Sequence, residues 1–501
     1  MQEIAWHTQT DIPLLAVLQL LPLMGAAVTW WLSDRKYVLG IARIFAAAEL
    51  VIAVILYMSL DSGTAALQFA ERLDLPGPLD YHTGADGITT LFVLAGSLLV
   101  FLVCLYSLVR GLTDIGRLLA VVLALEAVLM SALTTVNLLW FVLAWGVDLA
   151  LVGYMLWYWS TSPNRDRALR PFYQFQFSGL LLLLLGTLLA GYGNMDMTGK
   201  PLSYDLADLS TGLGGSPLAT MIFLLLFLGI AIRAPMFPFH GWLPMVARYG
   251  NIAMAPAFLL GVKISIYGLV RFVVPMVPSA VHQAGDVVMI AAVAGVFYSA
   301  ILAARQTNLR HLMSFAVVSH TGLLVLGVFT LDAAALQGSL LLSVTFGLAI
   351  LTMLFMLGLV YRRIGSTNLS RLGGLFDRLP VLATAFFIGG LAIMCMPGTP
   401  GFAAAHLVFE GSMHHFGALA TMAVALGNVT AAGMLLWSFQ RAFLGPAPAA
   451  RREQVESATG MELFIAVILI LVLLAAGFYM DPWLELIEAP THLLDRSAGA
   501  G

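Results

Sequence analysis

Apolar runs of bilayer length recur along this chain, separated by short polar stretches. A helix needs about 20 mostly apolar residues to cross the hydrocarbon. Fourteen runs meet that need, near 13–33, 38–59, 89–109, 118–135, 138–159, 174–193, 217–239, 252–274, 286–304, 311–330, 334–360, 380–409, 417–440 and 461–480. Two of them are interrupted by paired prolines. The first interruption reads Arg233-Ala-Pro235-Met-Phe-Pro238-Phe-His240, and the second Met396-Pro397-Gly398-Thr399-Pro400-Gly401. Proline removes a backbone donor and clashes with the preceding turn, so both runs predict broken helices. Each break falls in the fourth helix of a five-helix set, spans four to eight and spans nine to thirteen. Five is odd, so the two sets have opposite orientation, the geometry of an inverted repeat. The pattern predicts an all-α polytopic membrane protein with about 14 transmembrane helices. Its units are 1–117 (spans one to three), 118–275 and 286–440 (the two inverted repeats), and 441–501 (last loop, last span and an outside tail).

Composition supports this class. The 501 residues are 60% hydrophobic and 10% charged, against roughly 25% charged in soluble chains. The net charge of −3 carries no nucleic-acid signature. Cys104 and Cys395 lie in apolar runs and read as small core residues. No metal-ligand spacing, phosphate loop or nucleophile elbow occurs, so no cofactor is expected. Gly212-Leu-Gly214-Gly215 lacks the strand context of a nucleotide loop. The first basic residue is Arg35, which argues against a cleaved leader. Eighteen Lys and Arg residues fall in loops on one side, among them Arg35, Arg165, Arg305, Arg362 and Arg441. Four (Arg72, Lys200, Arg271, Arg496) are assigned to the other side, and Arg233 and Lys263 stay within spans. The positive-inside rule then predicts a multi-pass protein of a bacterial inner (plasma) membrane with both termini on the non-cytoplasmic side. The acidic loop 60–88 fits that outer side.

Ionisable side chains inside the spans carry the functional signal, because each costs about 2.5–3.5 kcal/mol at the bilayer centre on insertion scales. Lys263 stands mid-span, and a desolvated lysine can exchange a proton near neutrality. Arg233 is effectively always charged, so it can set a field or hold a carboxylate but not relay a proton. His320 suits a relay through its two ring nitrogens. His406 and Glu410, four residues apart beyond the second break, share a helix face and form a candidate exit pair. Asp148, Glu126 and Glu49 complete the set; the two glutamates read equally as interfacial, solvated groups. The expected proton path is therefore Lys263, His320, Arg233, His406, Glu410, Asp148 and Glu126, beside the breaks at Pro235, Pro238, Pro397 and Pro400.

Several segments resemble the antiporter-type, proton-translocating subunits of respiratory complex I, nearest the M (mitochondrial subunit 4) type. They are Pro235-Met-Phe-Pro238-Phe-His240-Gly-Trp-Leu-Pro244, Lys263-Ile-Ser-Ile-Tyr-Gly-Leu-Val-Arg271-Phe272, Gln306 through Gly322, Leu336-Gln337-Gly338 and Met396-Pro397-Gly398-Thr399. The resemblance implies two inverted five-helix half-channels joined by a polar axis. It also implies departures on that axis. The family's fifth-span glutamate falls on Gly146, with Asp148 two residues on. Its seventh-span lysine falls on Arg233, an eleventh-span histidine on Phe346, and the ionisable residue after the second break on Ala405. Lys263 and His320 keep the family's lysine and histidine.

The resemblance implies a proton-translocating membrane subunit of a complex I-related, NADH–quinone oxidoreductase-like assembly, without catalysis of its own. Its expected partners are other membrane subunits, the lipid bilayer and protons, with sodium left open. A non-redox cation/proton antiporter or inorganic-carbon uptake complex, a membrane-bound hydrogenase or formate hydrogenlyase, and a non-conducting structural subunit stand as alternatives.

Overall fold

A computed structural model of the chain describes residues 2–73, 79–110, 114–160, 164–250, 264–447 and 455–499. Helices dominate: α1 Leu14–Trp31, α2 Val38–Ser59, α3 Gly87–Arg110, α4 Ile115–Thr134, α5 Leu138–Trp159, α6 Asp166–Thr198, α7 Leu206–Gly212, α8 Ala219–Arg233 and α9 Trp242–Tyr249. There follow α10 Ile264–Met276, α11 Pro278–Ala304, α12 Leu309–Phe329, α13 Ala333–Ile364, α14 Leu375–Arg378, α15 Pro380–Ile393, α16 Pro400–Phe439, α17 Gly460–Phe478 and α18 Asp481–Gly499.

Among the described residues, eleven helices are long and apolar enough to cross a membrane. The three other predicted runs contain the shorter apolar helices α8, α10 and α15. Proline breaks shorten α8 and α15, and the first part of the run 252–274 lies outside the described residues. Beyond the second break, α16 consists of two helical stretches that meet at a kink at Gly417 (φ 80°, ψ 174°), a non-helical conformation open to glycine. The first stretch holds the end of the twelfth predicted run, and the second matches the thirteenth. The α6 helix extends well beyond the predicted 174–193 at both ends.

Helices α12 and α13 form the centre of the bundle. Every residue of α12 from Leu312 to Phe329 is buried, and 94% of the most apolar 18-residue stretch of α13. By contrast α2, α16 and α17 bury less than a third of theirs, so one face of each is directed outward. At the end carrying the arginine-rich loops, Arg363 of α13 grips Glu462 at 2.6 and 3.0 Å. Thr459 and Glu462 close a reciprocal cap on α17, satisfying N–H groups that the first turn leaves free.

The opposite end departs from the purely helical expectation. Strands β1 Glu3–Ala5, β2 Leu67–Leu73 and β3 Tyr81–Ala85 form a small sheet, with β1 parallel and β3 antiparallel to β2. Glu71 of β2 accepts from the backbone N–H of Leu15 (2.9 Å) and Ala16 (3.1 Å), so the sheet caps α1. The predicted outside tail is α18. Its Leu486 and Ile487 are buried, and Gln337 of α13 donates to Thr491 at 3.1 Å. A Cβ on Gly87 would lie 1.6 Å from the Leu486 carbonyl oxygen, so glycine there lets α18 close over the start of α3.

Candidate functional site: the two helix breaks and the buried histidines

The first break is built by hydrogen bonds that replace the missing helical ones. Ala234 N–H donates to Ile230 O (2.7 Å), and Met236 N–H reaches back five residues to Ala231 O (2.9 Å). The next carbonyl, Ile232 O, accepts from the indole N–H of Trp242 at 2.9 Å. Prolines 235 and 238 cannot donate, so a side chain completes the helix end. The second break repeats the closure. Met394 N–H bonds Gly390 O (3.0 Å) and Met396 N–H bonds Leu391 O (3.1 Å), again five residues back. Arg233 stands three residues before the first closing methionine, where the second break has Ile393.

Arg233, last residue of α8, is buried at 8% exposure. Its guanidinium hydrogen-bonds the Asp148 carboxylate of α5 in an ion pair with side chains 9% and 15% exposed. It also lies 4.5 Å from the ring centre of Trp145. Residues 145 and 148 are three apart on α5 and face the same way, so ring and carboxylate hold one cation together. A cavity of about 10 Å³ lined by Gln176, Gly179 and Gly229 adjoins the pair, the lower limit for one water. Gly146 turns elsewhere: a Cβ there would meet only Leu180, at 3.7 Å. It lines a groove with Tyr154, Trp157 and Tyr173. Asp148 therefore does not take the direction of position 146. It serves Arg233 from a neighbouring face, and the arginine's length spans the difference.

Among the described residues three histidines are buried: His82 of β3, and His240 and His320 near the bundle centre. His240 follows the first break and is buried, with Tyr298 of α11 5.2 Å and Phe315 of α12 6.4 Å away, ring centre to ring centre. His320, five residues beyond Phe315, is buried at 4% and stacks on Phe346 of α13 with centroids 3.8 Å apart. The residue standing at the resemblance's eleventh-span histidine is thus the ring on which His320 packs. Lys263 lies outside the described residues.

The remaining candidates are placed apart. His406 and Glu410 share a face of α16 as predicted, but that face is exposed, alongside Phe402 and Met413. Ala405, on the inward side, is 2% exposed. The expected exit pair therefore points out of the bundle, because a helix turn from 405 to 406 carries the side chain some 100° round. Glu126 is fully buried, as is Glu49, which corrects their reading as interfacial groups. One buried pair was misassigned from the sequence: Arg271, read as an outer-loop charge, is 6% exposed and bonds Asp86 at 2.6 Å. Asp86 also accepts from Thr89 N–H at 2.9 Å, and Tyr267 donates to Leu133 O at 2.5 Å. The signal was available, since residue 271 falls inside the predicted run 252–274.

Comparison with known proteins places this geometry. Residues 135–431 match the family described as NADH:quinone oxidoreductase/Mrp antiporter, TM. The chain is 27% identical over 499 residues to F(420)H(2) dehydrogenase subunit M of Methanosarcina mazei, covering 98% of this chain and all of that one. It is 27% identical over 451 residues to NADH-quinone oxidoreductase subunit M of Rickettsia conorii, 87% of this chain and 89% of that one. The fold superposes on a chain of respiratory complex I from Thermus thermophilus with a TM-score of 0.86 at 25% identity, covering 97% and 99% of the two chains. A chain of the Mrp complex from a Dietzia species shares the fold at 18% identity, with a TM-score of 0.85 and the same coverage. The matched segment contains both helix breaks and all the buried ionisable residues from Asp148 to His320, and the chain belongs to the NADH:quinone oxidoreductase/Mrp antiporter transmembrane family.

Proposed function

We propose that this chain is the proton-translocating, M-type membrane subunit of a complex I-related, redox-driven assembly. The observation that carries the reading is the likeness over most of the chain to M subunits of two electron-transfer complexes, joined to a titratable residue, His320, within the continuously buried stretch Leu312–Phe329 of α12. Protons pass through Lys263 and His320. Arg233 and Asp148 act as a fixed ion pair beside the path, because the guanidinium holds its proton at all working pH values.

Other subunits cover the outward face of α16. An exposed histidine and carboxylate four residues apart, between Phe402 and Met413, favour a neighbouring chain over lipid there. The two breaks, closed by the same five-residue bond, support the division into inverted units 118–275 and 286–440. The charge asymmetry between the ends supports the arginine-rich end as cytoplasmic, with both termini on the other side.

Purification in mild detergent with identification of co-purifying chains tests the assembly. Flavin- and iron–sulfur-bearing partners are expected. A set of small antiporter subunits alone, or a large zinc protein, would replace the redox reading by a transport one.

A further inference from the structure

We propose that Glu49 and Glu126 form a proton-binding dyad between α2, in the N-terminal three-helix segment, and α4, the first helix of the first broken-helix unit. Both carboxyls stand near the middle of their helices and are 0% exposed. The buried stripe of α2 reads Ala42, Ala46, Glu49, Ala53, Leu56, so a glutamate occupies one place in a seam of small apolar residues. All four carboxylate oxygens lack a hydrogen-bond partner among the described residues, and neither glutamate forms an ion pair there. The two helices pack together, and each carboxyl lies within the other's electrostatic reach.

Among the described residues no basic side chain pairs with either. Helix α3 contributes the buried thiol of Cys104, which feels Glu126 and Arg43. Arg43, a turn and a half from Glu49, turns its Nε–H onto Leu39 O at 2.9 Å. Helix α1, packed on both, carries the buried hydroxyl of Thr29, and its Gln19 donates to Thr134 of α4 at 2.8 Å. Two unpaired carboxylates cannot both stay ionised in so dry a setting. A retained proton removes one of the two charges. The site takes a proton, and its existence does not depend on conduction through Lys263 and His320.

The test is labelling of the full chain, in native membranes, with dicyclohexylcarbodiimide, read by peptide mass spectrometry. A protonated carboxyl adds its O–H across one N=C bond of the reagent, and acyl shift from oxygen to nitrogen leaves a stable N-acylurea with nothing lost. An adduct on Glu49 or Glu126 at neutral pH, unaffected by sodium chloride, is expected. In E126Q the labelling of Glu49 should fade at a pH about one unit or more below that in the unsubstituted chain, since the like charge is gone, and E49Q should do the same for Glu126. No adduct on either residue overturns the proposal. So does protection by sodium, which would make this a cation site, and so does an unchanged pH profile in the single variants, which would make the carboxyls independent. The neutral-pH and sodium arms need no substitution and decide the matter if a variant fails to fold.

Discussion

Replacing Asp148 by alanine takes the carboxylate partner from the Arg233 charge in a dry site. The guanidinium has little recourse to solvent at 8% exposure, and the adjoining cavity of about 10 Å³ admits at most one water. Breaking a buried pair by removing one partner costs about 3–5 kcal/mol. The Trp145 face, 4.5 Å away, survives the substitution and offsets about 1–2 kcal/mol of that. A net loss of about 3 kcal/mol remains, roughly a hundredfold in the unfolding equilibrium. D148A/R233M removes both charges, and replacing a buried pair by apolar side chains is neutral or stabilising by about 1–4 kcal/mol. The assay is unfolding of the purified protein in mixed micelles titrated with a denaturing detergent, followed by tryptophan fluorescence. D148A should unfold earlier than the unsubstituted chain, and D148A/R233M should recover most of the loss. A D148A variant as stable as the parent, or a double variant no better than D148A, would refute the claim that these residues neutralise each other.

Three further outcomes follow from the geometry. Gly87→Val puts side-chain atoms where the Leu486 carbonyl lies, so residues 481–499 should become accessible to protease while the remaining helices stay protected. Trp242→Phe removes the indole donor from Ile232 O and should cost about 1–3 kcal/mol, the price of an unsatisfied buried acceptor, in the same micelle titration. Burial alone would raise the Asp205 carboxyl, but the hydrogen bond and charge of His82, the Ala207 N–H and Arg72 together hold it below its ordinary value. Its folded-state value is depressed, so its stabilisation is present above the unfolded value of about 3.9 and is lost as the pH falls below that. Hydrogen exchange in α7 should therefore quicken below about pH 4, and D205N should show the quickened rate at neutral pH.

The helices were largely legible because hydrophobic runs report burial in lipid directly. The breaks were legible because proline's missing donor is a local fact. What could not be read is spatial. Asp148 and Arg233 lie 85 positions apart, and only the fold shows that a carboxylate pointing away from position 146 still meets the guanidinium. The same applies to Glu49 with Glu126 and to Arg271 with Asp86, where burial of a charge depends on which helix faces it. His406 and Glu410 were correctly placed on one helix face, yet periodicity does not say which face looks inward. The small sheet escaped notice because its strands are short and divided between the N-terminal segment and the loop after α2, and α18 because an amphipathic helix lying on the bundle lacks a span's apolar length.

The central claim is that Lys263 and His320 carry protons while Arg233 and Asp148 hold still. It is tested most directly by proton translocation in sealed vesicles bearing the assembled complex, followed with a pH-sensitive dye. K263M and H320L should each lose the signal while the complex still assembles and D148A/R233M retains it. Undiminished translocation in K263M and H320L, with assembly intact, would contradict the account.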